Sequence, residues 1–98
     1  MATVEACGDH VHQYSTDWIN QVILAVREGD VLIITNIRQR GVMSMLLNQI
    51  PYSHVKSVSD HTITMANGKH ITIGMEGNED AYRGWRVRHL FMLGGLHA

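Results

Sequence analysis

The stretch Val31-Leu32-Ile33-Ile34 decides the fold class of this chain. An unbroken run of β-branched and aliphatic residues between turn signals is typical of a strand that is buried on both faces, as in a parallel sheet. Successive parallel strands need a crossover connection, which is usually helical and nearly always right-handed. We therefore expect an α/β domain with residues 31–34 at the centre of its sheet.

An amphipathic helix is predicted before this strand. Its apolar residues recur with the spacing i, i+3, i+4 and i+7, which places them on one face of a helix. These residues are Ile19, Val22, Ile23 and Val26. Ser15 or Thr16 provides the N-cap, and Gly29 ends the helix. With a candidate strand from Thr3 to Cys7, residues 3 to 35 are predicted to form a βαβ unit.

A second helix is predicted after the central strand. Thr35-Asn36 forms its cap, and Pro51 ends it at Ile50. Its buried stripe consists of Ile37, Val42, Met45 and Leu46. We expect both helices to flank the sheet, which gives a small three-layer α/β fold.

A β-hairpin is predicted around Asn67-Gly68. A two-residue loop would place Ile63 opposite Thr72, whereas a three-residue loop with a left-handed Gly68 places Ile63 opposite Ile71. The second register keeps apolar residues together and is preferred. Two further segments complete the prediction: a polar loop from Glu76 to Asp80 and a last strand from Val87 to Leu93.

Length and composition limit the class of protein. Residues 1–98, with 45% hydrophobic and 17% charged side chains, are typical of a single domain that is too small for a complete motor ATPase. A net charge of −1 gives no overall attraction to nucleic acid. The sequence has no apolar stretch of membrane-spanning length and no signal-peptide pattern. We therefore expect a cytoplasmic protein, whose single cysteine cannot form an internal disulfide.

The segment from Cys7 to Thr16 has the outline of a phosphate-binding loop. The pattern G-x-x-x-x-G-K-S/T needs a second glycine near the phosphate, a lysine, and a hydroxyl for Mg²⁺. Gly8 and Ser15 have the required separation, but Gln13 and Tyr14 replace the second glycine and the lysine. We interpret Gly8, Gln13, Ser15 and Thr16 as a degenerate phosphate loop.

Other chemical sites receive less support from the sequence. Asp9, His10 and His12 form a short run of metal-ligand types, but a closed site needs about four ligands and a supporting shell. We predict no metal site and no catalytic residue. Cys7 has no local signature of a nucleophile and is interpreted as core.

A basic segment near the last strand is the candidate surface for a partner. Arg83, Trp85 and Arg86 combine two guanidinium groups with a large aromatic side chain, the types that dominate binding hot spots. The alternative is that Trp85 packs into the core and the arginines face solvent. Arg38 and Arg40, on the second predicted helix, are the next candidates.

These pieces, in their order, resemble the first half of a P-loop ATPase core, and specifically the large terminase subunit of tailed phages and its helicase-like relatives. The matching segments are residues 8–16, the helix after them, residues 31–36, the helix containing Arg38 and Arg40, and residues 63–71, 80–84 and 88–93. Asn67-Gly68-Lys69 and Asp80-Ala81-Tyr82-Arg83-Gly84 are the most specific part of the match. ATP hydrolysis needs the loop lysine and an acidic pair for Mg²⁺. Tyr14 stands in place of the lysine, and Gly94-Gly95 in place of the acidic pair. The resemblance thus implies a truncated P-loop-like shape without ATPase activity.

The function expected from this resemblance is that of a phage-encoded, non-catalytic interaction protein without a cofactor. It would bind and modulate a protein partner, such as a DNA-packaging or replication motor or a host factor. The alternative is a nucleotide or nucleic-acid binding module that does not hydrolyse its ligand, and a third hypothesis is a structural or oligomeric domain. The oligomeric state stays open.

Overall fold

A computed structural model describes residues 7–82 and 84–94. Within these residues, six strands form one mixed sheet in the order β1-β6-β2-β5-β4-β3. The strands are β1 (Cys7–Gln13), β2 (Val31–Thr35), β3 (Val55–Val58), β4 (Thr62–Met65), β5 (His70–Met75) and β6 (Arg86–Leu93). The helices are α1 (Trp18–Ala25) and α2 (Gln39–Gln49). In the described part of the chain, neither helix has the length and apolar character that crossing a membrane requires.

Strand β2 lies at the centre of the sheet, as predicted. It pairs in parallel with β6 on one side and with β5 on the other. All five of its residues, from Val31 to Thr35, are buried. The prediction of a parallel α/β sheet built around residues 31–34 is confirmed.

Both helices lie on the same face of the sheet, so the predicted three-layer arrangement is wrong. Val22 of α1 and Leu46 of α2 belong to one core cluster with Ile33. Leu32 and Ile34, on the opposite face of β2, belong to a second cluster. The chain steps from β1 to β2 and from β2 to β3 in the same direction across the sheet. Right-handed crossovers that step in the same direction lie on the same face.

The opposite face is covered by a short 3₁₀ turn, Glu79–Tyr82, instead of a helix. The step from β5 back to β6 runs in the reverse direction across the sheet, which puts this connection on the second face. Tyr82 is 5% exposed and packs with Leu32 and Ile34. Burial raises the pKa of its phenol. A polar loop was predicted up to Asp80, and the 3₁₀ turn replaces its end.

Both helices begin later than the predicted caps. The Ser15 hydroxyl accepts a hydrogen bond from the Asp17 amide at 3.1 Å, and α1 begins at Trp18. Thr35 remains in β2, and its hydroxyl accepts a bond from the Ile37 amide at 3.2 Å. In both cases a hydroxyl that was expected to cap a helix accepts a hydrogen bond from the amide two residues later. The bond thereby forms a turn between a strand and the following helix.

The hairpin between β4 and β5 has the predicted register. Ile63 is paired with Ile71, and Gly68 has a φ of 85°, in the left-handed region that favours glycine. The structure adds β3, which pairs antiparallel with β4 and extends the hairpin to a three-stranded meander. Sequence reasoning missed β3 because this strand lies at the edge and three of its four residues are exposed.

Residues 8–13 of the predicted phosphate loop lie in β1 and are extended instead of forming a loop, whereas Ser15 and Thr16 follow the strand. Gly8 pairs with Val87 and Gln13 pairs with Met92 in a parallel ladder with β6. A phosphate loop directs consecutive amides at one anion, whereas an extended strand directs them alternately to its two sides. The predicted strand from Thr3 to Cys7 lies outside the described residues except for Cys7, the first residue of β1.

Candidate functional site

Three side chains, joined by two hydrogen bonds in a row, lie near the β1 edge of the sheet. His12 Nε2 is 2.9 Å from His89 Nδ1, and His89 Nε2 is 2.8 Å from Glu28 Oε1. His89 is buried, whereas His12 is half-buried and Glu28 is exposed. These two hydrogen bonds therefore connect an exposed carboxylate, through a buried imidazole, to the edge strand.

The parallel register brings the histidines together. His10 and His12 are two residues apart, so both point to the same face of β1. His10 pairs with His89, and His12 pairs with Phe91. The His10 and His12 rings stack on His89 with centroids 5.0 and 5.1 Å away, and His12 stacks on Phe91 at 4.3 Å.

The turn after α1 supplies the carboxylate. The Glu28 amide donates to the Ala25 carbonyl at 2.9 Å, which continues the last turn of the helix and places Glu28 beside the sheet. The amides of Arg88 and His89 both donate to the Asp30 carbonyl, at 3.0 and 3.2 Å. This shared acceptor holds the start of β6 against the loop that carries Glu28.

The chemistry of the three groups determines which atom donates in each of these two hydrogen bonds. A carboxylate only accepts, so His89 Nε2 carries the proton in the bond to Glu28. When His89 is neutral, its Nδ1 accepts, and His12 Nε2 must then donate. The His89 bond lowers the pKa of Glu28. Burial, followed by the nearby His89 and His10, lowers the pKa of His12 and favours its neutral form.

This arrangement differs from a metal centre. Ligating imidazoles direct nitrogen atoms at one point, whereas these rings are stacked with interplanar angles of 23° and 28°. Asp9, the third member of the predicted ligand run, forms an ion pair with Arg88 at 3.1 Å. Within residues 7–82 and 84–94, no group of three His, Cys, Asp or Glu side chains is placed to hold a metal ion.

Exposed apolar side chains surround the histidines. Val11 is 57% exposed on β1, Leu24 is 59% exposed on α1, and Tyr14 is 40% exposed after β1. Between α1 and β1 lies a groove of about 290 Å³, whose walls include His12, Gln21 and Leu24. Among the described strands, β1 pairs with β6 alone, so its other edge carries backbone groups that pair with no described strand.

The structure does not assemble the predicted phosphate-site residues around a common point. Gln13 is exposed at the end of β1, and Thr16 is exposed in the following turn. Ser15 uses its hydroxyl in the turn before α1. These residues, with Gly8, therefore form a strand and a turn.

The predicted partner-binding residues fall into two separate groups. Arg83 lies outside the described residues. Trp85 is 41% exposed, with its ring edge-to-face against Tyr82 at 5.1 Å, and Arg86 is exposed at the start of β6. Arg38 and Arg40 are exposed at the start of α2, which follows the end of β2. Since β2 and β6 are parallel, the two groups lie at opposite ends of the sheet.

Sequence reasoning missed the bonds among Glu28, His89 and His12. The alternation of His10 and His12 was the available signal, because residues two apart on a strand share a face. The partner residues are 61 and 77 positions apart along the chain, and only the adjacency of β1 and β6 brings them together.

Comparison of the chain with protein-family models, curated proteins and solved structures finds no match. These comparisons give no support to the expected relationship with terminases and P-loop ATPases.

Proposed function

We propose that this chain is a non-catalytic binding domain that takes up an extended segment of a protein partner along the outer edge of β1. The observation that carries the proposal is that β1 combines an edge unpaired in the described structure with exposed apolar side chains. Addition of a partner strand to a sheet edge uses backbone hydrogen bonds for affinity and side-chain contacts for specificity.

The sequence of β1 offers little of the usual protection against such pairing. Edge strands are commonly protected by lysine, proline or an unpaired charge. The β1 sequence, Cys-Gly-Asp-His-Val-His-Gln, contains no lysine or proline. Its one acidic residue, Asp9, is compensated by Arg88 at 3.1 Å. The strand can therefore accept another strand without leaving a charge unpaired.

Apolar contacts are available on both faces of the added strand. Val11 lies on the face of Leu90, its partner in the ladder. On the other face, Leu24 of α1 lines the groove beside His12. A partner segment with apolar residues on both of its faces, which means at neighbouring positions of the strand, would bury Val11 and Leu24 together and supply the hydrophobic part of the binding free energy.

The alternative of nucleotide or nucleic-acid binding has less support. Residues 8–13 form a strand, and the described arginines lie at opposite ends of the sheet. A DNA-packaging or replication motor, or a host factor, stays a candidate partner through the sequence resemblance.

The experiment compares two exposed valines on the two edge strands. Peptides that bind the unchanged protein would first be selected from a random-sequence display library. Their affinities for the unchanged protein, Val11→Lys and Val58→Lys would then be measured by fluorescence anisotropy. Val58 is 46% exposed on β3, at the opposite edge of the sheet, and serves as the matched control. We expect Val11→Lys to weaken binding at least about tenfold, or about 1.4 kcal/mol, and Val58→Lys to leave it unchanged.

Amide hydrogen exchange then locates the bound peptide. Protection of residues 8–13 on peptide binding is the expected result. If the selected peptides protect another surface, or if Val11→Lys binds them as well as the unchanged protein, the β1 edge is not the binding surface.

A further inference from the structure

A second cavity lies between α1, the end of α2 and the turn that joins β4 to β5. Its volume is about 260 Å³. Four apolar side chains form much of its wall: Ile23, Val26, Ile50 and Met65. Arg27 and His54 also line it. This cavity does not share a lining residue with the groove beside β1.

Hydrogen bonds hold the walls of this cavity in place. The Asn67 side-chain amide donates to the Val26 carbonyl at 3.3 Å, which ties the β4–β5 turn to the end of α1. The Ala66 amide donates to the His54 carbonyl at 2.8 Å, which ties the same turn to the segment after α2. A site formed by such bonds exists before a ligand arrives and needs little reorganisation on binding.

The charges of the lining are of one sign. Arg27 is permanently cationic, and the His54 side chain carries no negative charge. None of the described residues that line the cavity is acidic. The neighbouring carboxylate, Glu28, is bonded to His89 and lines the other groove. An anionic group in the cavity would therefore meet Arg27 without a competing carboxylate from the lining.

We propose that this cavity binds a small molecule with an apolar body and a single carboxylate. The apolar walls take the body, and the Arg27 guanidinium donates to the carboxylate, for which its planar fork is well suited. At about 30 Å³ for each water-sized group, the volume holds on the order of nine such groups. This volume is close to the size of octanoate, which has about ten non-hydrogen atoms.

The experiment measures octanoate and octanol binding by isothermal titration calorimetry with the full chain. The two probes share the apolar body and differ in the charged group. We expect octanoate to bind at least about tenfold more tightly than octanol, because a hydrogen bond to a charged group is stronger than one to a neutral group. Arg27→Gln should remove that difference and leave octanol binding unchanged. Arg40→Gln, which changes an exposed arginine outside the cavity, is the matched control and should bind both probes normally.

A third variant tests whether the two probes bind inside this cavity. Ala66 is exposed and lines the cavity, so Ala66→Trp should fill it and abolish binding of both probes in a protein that keeps its circular dichroism spectrum. Equal affinity for octanoate and octanol, undiminished octanoate binding by Arg27→Gln, or unchanged binding by folded Ala66→Trp would each overturn the proposal. The β1 proposal is independent, since neither Val11 nor Val58 lines this cavity.

Discussion

His89 Nε2 lies 2.8 Å from Glu28 Oε1, and this bond joins the turn after α1 to β6. The buried imidazole has its second nitrogen 2.9 Å from His12 Nε2, so both of its polar atoms have partners. A buried polar group without partners is destabilising, and these two bonds remove that penalty. Protonation of His12 or of Glu28 changes this arrangement, and pH is therefore the direct way to test it.

The first prediction concerns the stability of the fold on mild acidification. Because the folded-state pKa of His12 lies below its ordinary value of 6.5, the unfolded chain binds more protons as the pH falls through that value. The stabilisation is complete above about pH 6.5 and is lost as the pH falls toward the folded-state pKa. Urea unfolding from pH 7.5 to 5 should show a smaller loss in His12→Gln than in the unchanged protein.

The exposed His61 provides the control for this experiment. It is exposed in the turn before β4, so His61→Gln should preserve the pH dependence of the unchanged protein. Identical pH profiles for His12→Gln and the unchanged protein would show that His12 does not carry this effect.

The second prediction concerns the carboxylate of Glu28. The His89 hydrogen bond, the leading cause of the shift, keeps the pKa of Glu28 below its ordinary value of 4.5. Its contribution to stability is present above pH 4.5 and is lost as the pH falls through the folded-state pKa. NMR titration of the side-chain carboxyl should therefore show a pKa below 4.5, and His89→Gln should raise it. An ordinary value in the unchanged protein would mean that the bond is absent in solution.

Parts of the fold with strong local signals could be predicted from the sequence. The apolar run of β2 specifies a buried strand without knowledge of its neighbours, and Asn67-Gly68 specifies a turn whose apolar pairing then selects the register. Strand β1 lacked such a signal, because its polar residues lie at an edge where hydrophobic alternation is not required. The glycine and serine spacing therefore suggested a loop where the chain is extended.

The faces of the sheet and the histidine contacts depend on the strand order. Whether two crossover helices share a face depends on the direction in which the chain steps across the sheet, and a sequence pattern does not specify that direction. In the same way, His12 meets His89 only because β6 lies beside β1. Both features follow from non-local pairing and could not be derived from residue spacing alone.

The third prediction distinguishes between two candidate partner-binding surfaces, the β1 edge and the basic segment with Trp85 and Arg86. Trp85 and Arg86 lie at the start of β6, and neither residue lines the groove beside β1. If partner strands add to β1, Trp85→Ala with Arg86→Ala should bind the selected peptides with unchanged affinity. Its melting temperature should fall slightly, since an edge-to-face aromatic contact contributes about 0.5–1.5 kcal/mol. A loss of peptide binding in this folded variant would place the partner surface at the start of β6.

The last prediction concerns the close contact of Gly74 with Tyr82. A Cβ atom added at Gly74 would lie 2.5 Å from Cε2 and 2.7 Å from Cζ of the buried Tyr82 ring. Gly74 pairs with Ile34 of β2, so the backbone cannot move away without disturbing the centre of the sheet. Forcing extra atoms into such a site costs about 1–3 kcal/mol, and we expect Gly74→Ala to lower the free energy of unfolding by that amount.

Gly41 provides the opposite control for the same substitution. It is exposed within α2, where an added Cβ meets only Ile37 Cδ1, at 3.9 Å. Alanine has the higher helix propensity, so Gly41→Ala should raise the free energy of unfolding by about 0.5–1 kcal/mol.

In Gly74→Ala, adding Tyr82→Leu should recover part of the lost stability, because the smaller side chain makes room for the methyl group. A Gly74→Ala variant as stable as the unchanged protein would show that the 3₁₀ turn does not pack on β5 in solution.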